Sequence, residues 1–147
     1  SMTDITELLL YEAARNDVTS RQIEPLLSSG CIVLCDRFYD STTAYQGYGR
    51  KLDINMVRRL HRVAVGDIKP DLTLLFDISV AVARRRLGKQ RDRLEAQSRA
   101  FFNRVRRGFL DIAAHESRRV KVINGGRPVE HVFDEVKQHL DRKLRYR

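Results

Sequence analysis

Residues 31–50 constrain the fold of this chain more than any other stretch. They open on an apolar run, residues 31–35, which is too short for a helix and rich in β-branched side chains. Such a run predicts a buried strand. The strand ends on Asp36 and Arg37, and hydroxyl and aromatic side chains follow them. Because ligands bind beyond the carboxyl ends of strands in open parallel sheets, this order predicts a ligand site after residue 35.

The side chains that follow the strand indicate which kind of ligand the site holds. Arg37 suits a phosphate because its planar guanidinium can bond two oxygens at once. Tyr45 offers a ring wall, and Gln46 offers both a hydrogen-bond donor and an acceptor. The stretch therefore predicts a site for a small anionic ligand that carries a ring.

Residues 36–47 are similar to the acceptor-site motif of thymidylate kinases, which move the γ-phosphoryl of ATP onto dTMP. The resemblance rests on Asp36-Arg37-Phe38 followed by Ser41-Thr42-x-Ala44-Tyr45-Gln46-Gly47. An Asp-Arg pair alone has an ordinary surface ion pair as its alternative interpretation. The full run favours the family.

The resemblance implies a set of acceptor-site residues. These are Tyr11, Arg15, Asp36, Arg37, Ser41, Thr42, Tyr45 and Gln46. Arg37 would hold the phosphate, and Tyr45 would crowd a ribose 2′ position and so favour deoxynucleotides. Tyr11 and Arg15 lie four apart on a predicted helix and share one face. They would stack on thymine and contact the base, whereas the alternative is a core tyrosine and a solvated charge.

A basic segment, residues 87–95, resembles the lid of nucleoside monophosphate kinases. The resemblance implies that Arg91, with help from the neighbouring arginines, closes over the transferring phosphoryl group. Those neighbours are Arg85, Arg86 and Arg93. Cations suit this task because catalysis of phosphoryl transfer consists of positioning and charge neutralisation. The alternatives for this segment are a solvated basic face and a nucleic-acid patch.

The resemblance also implies where ATP binds. Asn124 and Gly125, after a predicted strand at 118–123, would lie beside its adenine together with Arg85. Mg²⁺ would assist as the cofactor that accompanies ATP. No His or Cys cluster in the sequence has metal-ligand spacing, so the chain itself is expected to supply no metal site.

The fold that the resemblance implies is α/β, the three-layer P-loop NTPase fold of nucleoside monophosphate kinases with a parallel sheet. Predicted strands at 31–35, 71–77 and 118–123 correspond to its third, fourth and fifth strands. The phosphate-binding motif G-x-x-x-x-G-K-[ST] does not occur in the 147 residues. We therefore expect a chain that lacks the first two strands and the P-loop. A truncated gene product, an expressed fragment or a proteolysed enzyme would each explain such a chain.

Five helices are predicted from apolar periodicity and capping residues. They cover residues 4–16, 18–29 with Pro25 inside, 53–65, a stretch that begins at Ser79, and 95–115. A sixth begins at Pro128, with Val129 among its inward residues. The length of 147 residues predicts one domain.

Composition limits the partners and the compartment. The net charge of +9 implies an anionic partner, for which nucleotides and nucleic acids both qualify. Cys31 and Cys35 are expected to be buried free thiols, which suits a reducing compartment. No apolar run approaches the roughly 18 residues of a membrane span, so no membrane partner and a cytoplasmic location are expected. By resemblance, residues 53–65 take part in a homodimer.

Three functional interpretations follow from the sequence. The first is a thymidylate kinase that acts on dTMP and ATP. The second is a non-catalytic remnant that binds dTMP or a partner only. The third is a basic nucleic-acid-binding module, although no recognised nucleic-acid motif supports it.

Overall fold

The computed structural model describes residues 2–87 and 97–145, which combine helices with a parallel pair of strands. The chain divides into two compact units, residues 1–69 and 70–147. The described part is therefore α/β, as the sequence predicts.

The first unit is helical. Its elements are α1 (Asp4–Val18), a π-helical turn (Thr19–Ile23), α2 (Glu24–Ser28), α3 (Tyr39–Thr42), a π-helical segment (Thr43–Gly49) and α4 (Ile54–Val65). Asp53 caps α4 as predicted, because its side chain accepts the backbone N–H of Asn55. The cap of α1 is Thr3, one residue before the predicted start at Asp4, since the Thr3 hydroxyl accepts the N–H of Thr6.

The inner face of α1 is largely polar. Glu7, Leu8 and Glu12 are its buried residues, whereas the apolar side chain of Leu9 is exposed. The apolar stripe of α4 packs within this unit, with Val57 fully buried. Asn16 Nδ2 donates to the carbonyl of Ala64 at 2.9 Å and joins the two helices. The interior of the first unit therefore depends on hydrogen bonds as well as on apolar packing.

The prediction of a buried strand at residues 31–35 is wrong for this structure. These residues form no regular secondary structure, and Leu34 is 87% exposed. Cys31 and Cys35 are free thiols, as expected, but they are exposed rather than buried. A β-branched run becomes a strand only where a partner satisfies its backbone groups, and no described strand pairs with this one.

The second unit contains the sheet. Its elements are β1 (Thr73–Asp77), α5 (Val80–Leu87), α6 (Arg99–His115), β2 (Val120–Asn124) and α7 (Val129–Leu144). The two strands are parallel, with Thr73 opposite Val120 and Asp77 opposite Asn124. Their carboxyl ends therefore meet at one edge of the sheet.

The core of the second unit lies where α6 covers this sheet. Ile112 and Ala113 of α6 are buried with Val120, and Leu75 packs against them. The prediction that Val129 points inward is wrong, since its side chain is 72% exposed. Pro128 is the N-cap of α7, so Val129 is the first helical residue and the half-buried stripe begins one turn later, at Val132.

Candidate functional site

Arg37 has an unusual backbone conformation in the middle of the acceptor motif. Its φ is 69°, in the left-handed region, which costs a residue with a side chain about 1–2 kcal/mol. Arg37 Nε donates to Ser41 Oγ at 3.1 Å, and the guanidinium lies 4.7 Å from the centroid of the Tyr45 ring. The structure thus brings together three of the predicted site residues. Local strain of this kind often marks a functional position.

Arg15 forms a second group with residues of the same motif. Its Nη2 donates to the buried hydroxyl of Thr42, and its guanidinium lies 5.5 Å from the centroid of the Phe38 ring. Burial lowers the pKa of Arg15 below its ordinary value, while the nearby Glu12 and Asp40 carboxylates act in the opposite direction. The charge is held in a partly desolvated place, where its hydrogen bonds to a ligand would be strengthened.

The other predicted acceptor residues differ in exposure. Tyr11 lies one turn before Arg15 on α1 and is 42% exposed. Asp36 is exposed immediately before Arg37. Gln46 is fully buried, and its Nε2 donates to Glu7 Oε1 at 2.8 Å. Tyr11 and Asp36 are therefore accessible, whereas the amide nitrogen of Gln46 is already hydrogen-bonded within the protein.

Arg50 and Glu7 anchor the far end of the motif to α1. Arg50 Nε and Nη2 donate to the two Glu7 oxygens at 3.2 and 3.1 Å. Gly47, three residues before Arg50, lies close to the side chain of Ile54, because a Cβ there would be 2.5 Å from Ile54 Cδ1. Glycine lets the π-helical segment pack directly against the start of α4.

A cavity of about 620 Å³ opens at the carboxyl edge of the sheet in the second unit. It is lined by the ends of both strands and by residues that include the charged Asp77, Arg106 and Arg127 and the uncharged Ser79, Asn124 and Gly126. Arg106 donates to both Asp77 oxygens, at 2.6 and 2.8 Å. This hydrogen bonding lowers the pKa of Asp77 below its usual value. The carboxylate therefore stays charged and holds Arg106 in the lining of the cavity.

The predicted donor-side residues meet at the same edge. Arg86, in the last turn of α5, donates its Nη1 to the carbonyl of Gly125 at 3.1 Å. Asn124 Oδ1 accepts the N–H of Gly126 at 2.9 Å and fixes the turn. Arg85 is exposed beside Arg86. Most of the predicted lid, including Arg91 and Arg93, lies outside the described residues.

The described residues include neither a candidate metal centre nor a helix that could cross a membrane. No three His, Cys, Asp or Glu side chains in ranges 2–87 and 97–145 are placed to hold a metal ion together. No helix in these ranges combines the length and apolarity that crossing a bilayer demands.

Comparison with known proteins decides the family. The sequence model of the thymidylate kinase family matches residues 1–136. The chain belongs to the thymidylate kinase family. It is 46% identical over 138 residues to the thymidylate kinase of Geobacter sulfurreducens, an alignment that covers 88% of this chain and 65% of that protein. It is 41% identical over 144 residues to that of Symbiobacterium thermophilum, which covers 97% and 67%.

A solved thymidylate kinase shares the fold. The crystal structure of the enzyme from Ehrlichia chaffeensis superposes with a TM-score of 0.77 at 33% identity, covering 96% of this chain and 66% of that one. The predicted fold class, the α/β fold of nucleoside monophosphate kinases, is thereby confirmed. The chain spans about two thirds of the length of these thymidylate kinases.

Sequence reasoning missed the residues that support the acceptor motif from behind. Glu7 and Glu12 of α1 and His61 of α4 are buried and hydrogen-bonded to it or to each other. Their partners lie 39 and 49 residues away in the chain, so no local spacing reveals them. The one available signal is the pair of carboxylates that interrupts the apolar side of α1.

Proposed function

We propose that this chain carries the dTMP-accepting site of a thymidylate kinase, which transfers the γ-phosphoryl of ATP to dTMP and yields dTDP. The observation that carries the proposal is the geometry of Arg37. Ser41 takes its Nε hydrogen and Tyr45 supports its face. No other hydrogen bond from the guanidinium occurs within the described ranges, so its terminal nitrogens remain available for two phosphate oxygens.

The remaining acceptor residues surround this phosphate position. Arg15 and Thr42 are joined by a hydrogen bond and recognise the pyrimidine, while Tyr11 supplies the ring that stacks on it. Tyr45 lies against Arg37 and limits the space at the ribose 2′ position. Membership of the family and the 46% identity to a thymidylate kinase support these roles.

The donor side is proposed for the carboxyl edge of the sheet. Asn124, Gly125 and Arg85 border the adenine, and Arg86, Arg91 and Arg93 supply positive charge around the transferring phosphoryl. The hydrogen bond from Arg86 to Gly125 supports placing these two sets together. Mg²⁺ arrives with ATP, since this ion is usually held largely by substrate phosphates and water. It supplies charge neutralisation on the phosphates.

Calorimetric titration of dTMP into the purified chain tests the acceptor site. We expect saturable binding that Arg37→Ala weakens at least tenfold, because charge-assisted hydrogen bonds contribute about 1.5–3 kcal/mol. Arg37→Lys keeps the charge but not the fork, and should be intermediate. Arg59→Ala removes an exposed arginine of α4 and is the matched control. No binding by the wild type, or equal binding by Arg37→Ala and Arg59→Ala, contradicts the proposal.

A second candidate function is dTMP binding without phosphoryl transfer. The observation that favours it is that the 147 residues contain no G-x-x-x-x-G-K-[ST] sequence. Assay of dTDP formation from dTMP and Mg·ATP separates the two candidates. Product formation supports the kinase, and saturable dTMP binding without product supports the binding function for this chain.

Two further proposals follow from the family. A homodimer is proposed, and light scattering after size-exclusion chromatography tests it through the molar mass, for which the monomer is 17.1 kDa. A cytoplasmic location is also proposed, and cell fractionation tests it.

A further inference from the structure

Three buried polar side chains form a hydrogen-bonded chain that the acceptor motif alone does not explain. Glu12 Oε1 lies 2.9 Å from His61 Nδ1, and His61 Nε2 lies 2.8 Å from Thr43 Oγ1. All three residues are at least nine-tenths buried. The Tyr39 ring covers the imidazole at 5.4 Å between centroids.

The direction of these hydrogen bonds follows from the chemistry of the groups. A carboxylate only accepts, so His61 Nδ1–H donates to Glu12. In a neutral imidazole, Nε2 is then the acceptor and the Thr43 hydroxyl donates to it. Each of the three groups thus has a defined orientation, set by its neighbour.

These hydrogen bonds connect the three elements that build the acceptor site. Glu12 belongs to α1, His61 to α4 and Thr43 to the π-helical segment. Glu12 lies one turn before Arg15 on α1, and Thr43 follows Thr42 in sequence. The hydrogen bond from Arg15 to Thr42 and those joining Glu12, His61 and Thr43 therefore form a closed loop. The backbone of α1 and the 42–43 peptide complete it.

An acid, a histidine and a hydroxyl in this order can also activate a nucleophile. The burial of Thr43 argues against that use here, because only 5% of the residue is exposed and a substrate could not reach its oxygen. What the three groups can do is fix the distance between α1 and the π-helical segment. Buried networks whose members are hydrogen-bonded rigidify the elements they join.

We propose that Glu12, His61 and Thr43 are positioning residues that hold Arg15 and Thr42 in register for recognition of the pyrimidine base. The inference rests on the proposed function, in which Arg15 and Thr42 contact that base. Without the hydrogen bonds among Glu12, His61 and Thr43, the π-helical segment moves relative to α1. Arg15 and Thr42 then lose their fixed spacing. Discrimination between bases that differ at the recognised edge is the property most sensitive to such a change.

Burial leaves two polar atoms beside this chain without a partner in the described part of the protein. They are Glu12 Oε2 and Arg15 Nε. Buried polar atoms are rarely left unpaired, and those that are require an explanation. Both belong to residues on one face of α1 at the proposed base site, which is consistent with groups arranged for a ligand.

Thr43→Val is the sharpest test, because it removes the hydroxyl while keeping the side-chain volume. The matched control is Thr19→Val. Thr19 is 2% exposed, and its hydroxyl has no hydrogen-bond partner among the described residues. Thr43→Ser restores the hydroxyl and serves as the rescue variant. Hydrogen exchange of residues 41–50 in the ligand-free chain and calorimetric binding of dTMP and dCMP are measured for all variants.

We expect Thr43→Val to weaken dTMP binding about five- to tenfold, as the loss of one buried hydrogen bond implies. The ratio of dTMP to dCMP affinity should fall, and exchange in residues 41–50 should accelerate. Thr19→Val should match the wild type in nucleotide affinity and in hydrogen exchange. Thr43→Ser should recover most of the dTMP affinity that Thr43→Val loses. A merely structural role lowers binding of both nucleotides equally and leaves their ratio unchanged, which would overturn the proposal.

Two further results keep the inference separate from the proposed function. Unchanged exchange of residues 41–50 in Thr43→Val overturns the inference, whether or not the wild type binds dTMP. A wild type that binds no dTMP overturns the proposed function and, with it, the role in base recognition. If Thr43→Val does not fold, His61→Gln takes its place, since it removes the imidazole that joins Glu12 to Thr43, and the same outcomes apply.

Discussion

Gln46 combines membership of the acceptor motif with complete burial. Its amide nitrogen donates to Glu7 Oε1, and Arg50 donates to both oxygens of the same carboxylate. A buried carboxylate is tolerated only when donors surround it, so Gln46 contributes to stability before any ligand arrives.

Gln46→Leu should therefore lower the free energy of unfolding of the ligand-free chain by about 1–3 kcal/mol, because Glu7 loses a buried donor. Urea denaturation followed by circular dichroism measures the change. Gln22→Leu alters an exposed glutamine of the same unit and should stay within about 0.5 kcal/mol of the wild type. Unchanged stability together with lost dTMP binding would instead assign the amide to the ligand.

At the scale of single residues, the motif in residues 36–47 could be found from sequence because its members lie within a dozen positions. Arg37, Ser41 and Tyr45 do come together, as do Arg15 and Thr42. Their supports could not be found, since the pairing of Glu12 with His61 depends on how α1 packs on α4. Spacing along the sequence carries no information on such a contact.

At the scale of elements, prediction succeeded where local signals and tertiary partners agree. Capping by Asp53 and Ser79 locates two helix starts, and β1 and β2 pair with each other. Residues 31–35 are also apolar and include the β-branched Ile32 and Val33, but no strand lies beside them in the described structure. Strand formation is decided by the partner, which composition does not report.

The pair of Asp77 and Arg106 joins the end of β1 to α6 and makes a pH-dependent contribution to stability. The pKa of Asp77 is lowered in the folded state, mainly by its hydrogen bonds to Arg106. An unfolded aspartate titrates near 3.9, so the contribution is complete above about pH 4 and is lost as the pH falls through the lower folded value. Asp77→Asn should accordingly cost about 1 kcal/mol at pH 7, a modest value because Arg106 is 42% exposed.

Urea unfolding of the wild type and Asp77→Asn between pH 7 and pH 3 measures this contribution. The difference between them should narrow below about pH 4. Asp111→Asn is the control on α6, where the nearest arginine nitrogen lies 3.8 Å away, and should change stability by less than about 0.5 kcal/mol. A difference that is constant or grows toward acid pH contradicts the assignment.

At the scale of the whole molecule, net charge and exposed apolar surface have opposite effects on self-association. The net charge of +9 disfavours self-association, whereas residues 31–35 present Ile32 and Leu34 to solvent, 65% and 87% exposed. An exposed apolar segment of this kind favours association with other chains.

Leu34→Lys should leave the free energy of unfolding within about 0.5 kcal/mol of the wild type, because the side chain contacts little. It should also reduce association at high protein concentration, since a charged side chain opposes burial of this segment against another chain. Urea denaturation and static light scattering measure the two effects. Ile123→Ala, at a fully buried position, is the contrast and should cost about 2–5 kcal/mol. A comparable loss in Leu34→Lys would show that Leu34 is covered in solution.

The two units differ in what they bury. Every buried polar or charged side chain in ranges 2–87 and 97–145 belongs to residues 1–69, whereas the interior of residues 70–147 is apolar. Exposure of apolar surface raises the heat capacity of unfolding, and exposure of polar surface lowers it. The polar inner face of α1 therefore gives residues 1–69 a smaller heat-capacity change for their size. Their free energy of unfolding should vary less steeply with temperature. Scanning calorimetry of the chain measures this as a flatter stability curve.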